Sequence, residues 1–390
     1  MTTIHKFGAT PISCHAWAGS RSELALSHNS KDVTLYTAKG PEWEKTAVLD
    51  QHDLRVTGID WAPNTNRIVT CSSDRNAYVW VKGQDGQWKY TLVLLRINRA
   101  ATCVRWSPEE NKFAVGSGAK IISVCYYEKD NDWWVAKHIK KPLKSTITSI
   151  DWHPNNILLA AGSSDFKVRV YSGFIKEIEP KPSATPWGAR MPMGNLMTEF
   201  SNSPNGGGWV HAVSFSADGS KLAWVGHDSS ISVADASKEM MVMKLRTDLL
   251  PMLTLTWISS NTLLAAGHNC VPITFTLDQG GTVTLGARLE EDKKQETTGT
   301  SSAMRMFQNK DRLGQSELES KLNTTHQNQV NWRIKCFSFL IIFVFVQISE
   351  LRIHSGSKGN VSTISTCAGD GKLVIWDIKS LASKLSNLKI

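Results

Sequence analysis

Nothing in this chain of 390 residues carries the spacing of a metal centre or an activated nucleophile. Its seven cysteines (14, 71, 103, 125, 270, 336 and 367) are scattered, with no C-x-x-C pair, which removes the usual zinc and redox frameworks. There is no Gly-rich phosphate loop, no H-E-x-x-H and no G-x-S-x-G, and Gly116-Ser117-Gly118 lacks the rest of a phosphate-binding fingerprint. His15, His52, His211, His227 and His268 recur at similar places in the pattern and read as structural. No catalytic residue and no cofactor is expected. The start, Met1-Thr2-Thr3-Ile4-His5-Lys6-Phe7, has no secretory apolar core; with an odd number of dispersed thiols this points to the reducing cytosol. A membrane-spanning helix needs ~20 apolar residues. The almost wholly apolar run Phe337–Val346 has ten.

What is present is a repeat. Six short β-type segments end on a large aromatic after alternating apolar positions: His15-Ala16-Trp17, Ile59-Asp60-Trp61, Val104-Arg105-Trp106, Ile150-Asp151-Trp152, Val213-Ser214-Phe215 and Leu255-Thr256-Trp257. The aromatics lie 44, 45, 46, 63 and 42 residues apart. A period near 40–45 residues is that of a β-propeller blade, which cannot bury its own apolar face and must stack on a neighbour. One domain of seven blades over residues 1–390 follows, with first strands near 13, 56, 101, 147, 209, 253 and 328. The last blade has too little sequence after Trp376 for an outer strand, so Thr3–Phe7 is expected to supply it and latch the ring.

Blade two is the clearest. Thr57, Ile59 and Trp61 alternate onto one face of a first strand, and Arg67–Ser72, Ala77–Trp80 and Trp88–Leu94 follow as three more strands. His52, Thr70, Asp74 and Trp80 match the four hydrogen-bonding positions of a WD-repeat blade, which the chain resembles; His326, Thr366, Asp370 and Trp376 match them again in the last blade. Such a set satisfies polar groups that stacking would otherwise bury unpaired. Blade four has Asp165 but Tyr171 in place of Trp, and blade five has Asp228 with Ala234.

Three stretches break the period. Residues 173–208 are rich in Pro and Gly and read as an irregular surface loop, whose Thr185-Pro186-Trp187-Gly188 and Met191-Pro192-Met193 serve either partner contact or local packing. Residues 289–329 are polar and charged around Ser301–Lys310. There Ser301 or Ser302 can cap a short helix with Ala303, Met304 and Phe307 on one side, read as a helix-in-groove ligand or else as a linker. Residues 332–347 form an apolar insertion whose removal would join Asn331 to Ile348; it reads as an unspliced intron or a variant gene model. The net charge of +9 favours acidic partners. Its densest run, Lys137, Lys140, Lys141 and Lys144, is a contact patch or simply a solvated edge.

A closer resemblance rests on longer strings: Gly58–Pro63, Asp74–Trp80, Arg96–Thr102, Asn111–Ala119, Asn131–Val135, Asp151–Asn156, Thr185–Gly188, Val233–Lys238 and Ser302–Met304. With these the chain is similar to the WD-repeat subunit of the actin-related protein 2/3 complex, nearly throughout. Residues 332–347 depart from that family. The resemblance implies an all-β, seven-bladed propeller acting as a non-catalytic scaffold in the cytoplasmic actin cytoskeleton. Its implied partners are the other subunits, including the actin-related proteins, and the actin filament, with no nucleic acid. It also implies that Ser301–Lys310, through Met304 and Phe307, touches actin or an actin-related subunit. The alternative is a WD-repeat adaptor of another machine, such as a ubiquitin-ligase receptor or an RNA-processing scaffold.

Overall fold

The computed structural model describes residues 2–202, 207–278, 280–289, 324–326 and 347–378. Within them lie seven antiparallel sheets of four strands each. In blade two the strands are Val56–Trp61, Ile68–Ser72, Ala77–Lys82 and Trp88–Val93, running from the axis outward. Each blade's first strand packs against that of the next, and the seventh against the first, so the sheets close into a ring. Period-two alternation on first strands buried on both faces gives every blade two apolar surfaces. The core is accordingly seven layers, one between each pair of blades. Val33, Leu35 and Leu49 of blade one meet Ile59, Trp61 and Trp80 of blade two, for example, and Ile12, Trp17 and Leu24 meet Cys367 and Leu373 at the closing seam.

One local irregularity recurs. The first strand of blade two carries a bulge between Val56 and Gly58, and blades three to seven carry one at the same place. The extra residue shifts the alternation by one. Val56, not Thr57, therefore joins Ile59 and Trp61 in the core. Thr57 is left to donate its hydroxyl to the carbonyl of Ala101 in the next blade at 2.9 Å. Thr102 repeats the bond to Ile147 at 2.6 Å, Thr148 to Val210, and Ser349 to Ile12 at 2.8 Å.

Blade seven is put together from distant pieces. Ile348–Ser357, Asn360–Ala368 and Lys372–Asp377 supply three strands. Thr3–Lys6 supplies the fourth, pairing antiparallel with Lys372–Ile375, and Phe7 N–H donates to the Gly371 carbonyl at 3.2 Å. Gly371 has φ +71°, and a Cβ there would lie 2.4 Å from the Gly8 carbonyl oxygen, so the turn under the latch accepts only glycine. The first strand begins at 348 rather than near 328. Val330-Asn331-Trp332 imitates the repeat's ending, which misplaced it.

The hairpin of the first two blade-seven strands is longer than its counterparts and lies across the mouth of the central channel. His354 stacks edgewise on Trp17 of blade one with ring centroids 4.6 Å apart. Arg352 bonds Asp60 of blade two at 2.8 Å, and Glu350 accepts from Arg105 of blade three at 3.3 Å. Lys358 reaches Asp151 of blade four at 2.7 Å, and Gly359 lies against Ala217 of blade five. Val361 N–H donates to Ile258 of blade six at 3.1 Å. This one hairpin touches all six other blades.

The stretch 173–208 is not irregular throughout. Leu196–Ser201 within it is the outer strand of blade four, paired with Lys167–Tyr171. Pairing partners decide a strand's register, and Pro/Gly density in the flanks hid this one. The expected helix at 301–310 lies outside the described residues, as do 290–323 of the polar stretch and 332–346 of the apolar insertion.

Candidate functional site

The four-residue sets come first, because they fix the loops that any partner meets. In blade two the His52 Nδ1–H donates to Asp74 at 2.8 Å, and the Thr70 hydroxyl donates to His52 Nε2 at 2.8 Å. The Trp80 indole N–H donates to Thr70 at 3.0 Å. Asp74 also accepts from the backbone N–H groups of Asp53 at 3.1 Å and Asn76 at 2.9 Å, tying the tight turn to the residue after His52. Burial holds His52 below its ordinary range despite Asp74, so it stays neutral with its proton on Nδ1. In the last blade His326 Nδ1 lies 3.1 Å from Asp370, its Nε2 2.9 Å from Thr366, and Trp376 donates to Thr366 at 2.8 Å.

Blades four and five reach the same end with other residues, which the repeat pattern did not reveal. In blade four the buried Arg169 guanidinium spans Asp165 at 2.9 Å and Glu199 at 2.7 Å. In blade five Asn202 takes the place of histidine. It donates to Asp228 at 3.2 Å and accepts from the Trp224 indole at 3.1 Å, the indole coming from the second strand instead of the third. Ser230 and Lys244 complete the shell of Asp228 at 2.6 and 3.0 Å.

At the closing seam a further relay forms. Ser365 Oγ lies 2.8 Å from His15 Nε2 and accepts from the Trp17 indole at 2.8 Å, while His15 Nδ1 faces Glu350 at 3.5 Å. The order Glu, His, Ser resembles a nucleophile relay, but His15 and Ser365 are fully buried. His15, Glu350 and Cys367 also place three donor atoms within 4.8 Å of one another, a set that could hold a metal. Two arginines already occupy that role: Arg352 Nε sits 2.9 Å and Arg105 3.3 Å from Glu350. Burial alone would raise the Glu350 carboxyl, yet Arg352, His15 and Arg105 hold it far below the usual carboxylate range. A dication there would meet like charge. The adjoining channel cavity, about 310 Å³, is lined by Asp60, Arg105, Asp151, Arg352 and Lys358. These charges are spent on one another and cross-brace the ring.

The strap between the third and fourth strands of blade four is held down at both ends. Lys112, buried in blade three, donates to Glu179 at 2.6 Å and to the Gly173 carbonyl at 2.9 Å. Glu179 also accepts from Asn156 at 2.6 Å. Trp187 and Met191 are buried, and the Trp187 indole donates to Gly219 of blade five at 2.7 Å. Trp187 and Met191 thus pack locally.

The basic run is divided. Lys137 pairs with Glu177 of the strap at 2.7 Å, its ammonium 5.3 Å from the Tyr126 ring centroid. Lys140, Lys141 and Lys144 are exposed beside buried Ile139 and Leu143. Ala303, Met304 and Phe307 lie outside the described residues. On the rim of blade two, Tyr90, Leu92 and Leu94 alternate on one exposed face, an apolar row that sequence alternation could have signalled.

Comparison with known proteins adds to this geometry. The family model for the WD domain, G-beta repeat, matches residues 43–81 and 137–172, each running from an outer strand through the first three strands of the next blade. Actin-related protein 2/3 complex subunit 1A-A of Xenopus laevis is 51% identical over the full length of both chains. Subunit 1 of the same complex is 43% identical in Schizosaccharomyces pombe, covering 93% of this chain and 96% of that one. In Saccharomyces cerevisiae it is 36% identical over 97% of each.

Proposed function

The chain belongs to the subunit 1 family of the actin-related protein 2/3 complex, and from that membership we propose that it is the propeller subunit of such a complex. In this reading it is a non-catalytic scaffold that joins the other subunits, including the actin-related proteins, and contributes to nucleating branched actin filaments in the cytoplasm. The observation that carries the reading is end-to-end likeness to subunits of one assembly, which disfavours an adaptor of another machine. The ring supports it: ion pairs across the channel stiffen a frame whose loops and rim remain for partners.

Two surfaces are the proposed contacts. Ser301–Lys310, with Ala303, Met304 and Phe307, is the actin-facing segment, and Lys140, Lys141 and Lys144 draw in acidic protein surface, raising the rate of encounter more than the affinity. Affinity capture of the tagged full chain should recover the actin-related subunits; their repeated absence would contradict the proposal. Replacing Met304 and Phe307 by Asp should lower branching activity of the assembled complex while the melting temperature stays put. Loss of folding would instead make that segment part of the core.

A further inference from the structure

In a four-stranded antiparallel blade, the turn after the second strand and the connection entering the first strand lie at the same end. In blades two, three and four these two segments are joined. Ser73 N–H donates to the Arg55 carbonyl at 3.0 Å, Gly118 to Ala100 at 2.9 Å and Ser164 to Thr146 at 3.0 Å. Arg55 and Arg75, Arg99 and Lys120, and Lys144 and Phe166 therefore stand on joined segments, and all six are exposed. Among the described residues none of these five cations forms an ion pair; Arg55 meets the neutral Asn29 side chain at 3.2 Å. Asp50 and Asp53 are the exposed carboxylates at this end of the three blades. The other end of blades two and three inverts the balance, with Asp85, Glu109, Asp130 and Asp132 exposed there beside Lys129.

Arg75, Lys120 and Phe166 also hold the same place in their turns, with φ +74°, +60° and +66°. Left-handed backbone is costly for a residue with a Cβ and free for glycine, which holds this place in blade seven as Gly371 at +71°. Three turns that glycine would relax instead keep two long cations and an exposed aromatic ring. Strain retained at such places points to a use outside the fold.

We propose that this end of blades two to four is a docking face for an anionic phospholipid bilayer, a role beyond the scaffold reading and independent of it. Arginine and lysine heads meet lipid phosphates and carboxylates while their stems lie along the interface. Leu54, 53% exposed beside Arg55, and Phe166 enter the layer beneath. A bilayer accepts isolated apolar side chains wherever they stand, whereas a protein partner needs a pocket for each, which favours lipid over acidic protein. The acidic opposite end is repelled, so the ring settles in one orientation.

The test is co-sedimentation of the untagged full-length chain with vesicles of phosphatidylcholine alone or mixed with phosphatidylserine. The mixed vesicles should pellet the chain, pure phosphatidylcholine should not, and raised salt should release it. Arg75→Gly with Lys120→Gly should weaken binding about twenty-five-fold, roughly fivefold for each cation near an anionic leaflet. Phe166→Gly should weaken it about tenfold. Glycine relieves the backbone at all three places, so the melting temperature should hold or rise, and Lys144, shared with the acidic-protein contact proposed above, is left intact. Equal uptake by phosphatidylcholine would assign binding to the apolar run at 337–346 and overturn the face. So would unchanged binding in the double variant. A chain that ignores both vesicles but is held by immobilised polyglutamate would give the face to acidic protein and overturn the lipid assignment.

Discussion

Blade two is written in one continuous stretch, whereas blade seven is gathered from Thr3–Lys6, His326 and residues 347–378. His52 stands four positions before its first strand at Val56; His326 stands twenty-two before Ile348. Both nevertheless arrive at the same hydrogen-bonded set, within a few tenths of an ångström. The set is thus specified by where four side chains end up on the sheet, not by unbroken sequence around them. The difference lies in what surrounds it. Blade two packs on its two neighbours along the ring and meets blade seven through Asp60 and Ile59, while the blade-seven hairpin touches every other blade. Closure of the ring is therefore an ionic and steric event at the hub as much as a strand pairing at the rim.

Acid should be the largest insult to both blades. His15 and His52 are pushed below their ordinary 6.5 by burial, and His211 and His354 are drawn to about 4. Below 6.5 the unfolded chain takes up protons that the fold refuses, so stability is complete above that pH and falls steadily from about 6.5 toward 4. A melting temperature level across that window would remove the neutral buried histidines from the account.

Arg352→Ala separates the two blades more sharply. It strips Asp60 of its cation and leaves Glu350 with Arg105 alone inside the hub, and should cost about 3 kcal/mol by chemical denaturation. A loss under about 1 kcal/mol would place closure in the rim latch alone. Asp370→Ala and Asp74→Ala then compare the two sets directly. Each should cost roughly 1–3 kcal/mol through unpaired buried partners, and a neutral Asp370→Ala would mean the composite blade does not depend on its set. The smallest effect belongs to deletion of residues 332–347. Shortening the connection between two fixed points should raise stability by about 1 kcal/mol or less. Failure to fold would show that blade seven needs the insertion.

Much of the ring was legible from residues alone, for a definite reason. Alternation, the aromatic endings and the turn aspartates are local, and the latch follows from counting strands at the two ends. The hub was not legible. Asp60, Arg105 and Asp151 share one position of the repeat, and period two says only that they face the axis; which charge crosses to Arg352, Glu350 or Lys358 depends on a hairpin hundreds of residues away. The networks of blades four and five escaped for the opposite reason. Arg169 and Asn202 stand where the pattern holds no charge or amide, and only the sheet register brings them to Asp165 and Asp228. Sequence alone leaves Trp187 open between partner contact and local packing, because proline and glycine surround it; its indole has a partner one blade away.

Amide hydrogen exchange on the intact chain tests the sealed hub most directly. The amides of Ile348–Ile353 and Lys372–Ile375 should exchange as slowly as those of Val56–Trp61 and Ala77–Trp80, opening only with the whole ring. Fast exchange confined to blade seven, with blade two still protected, would show a ring that stands open at its seam.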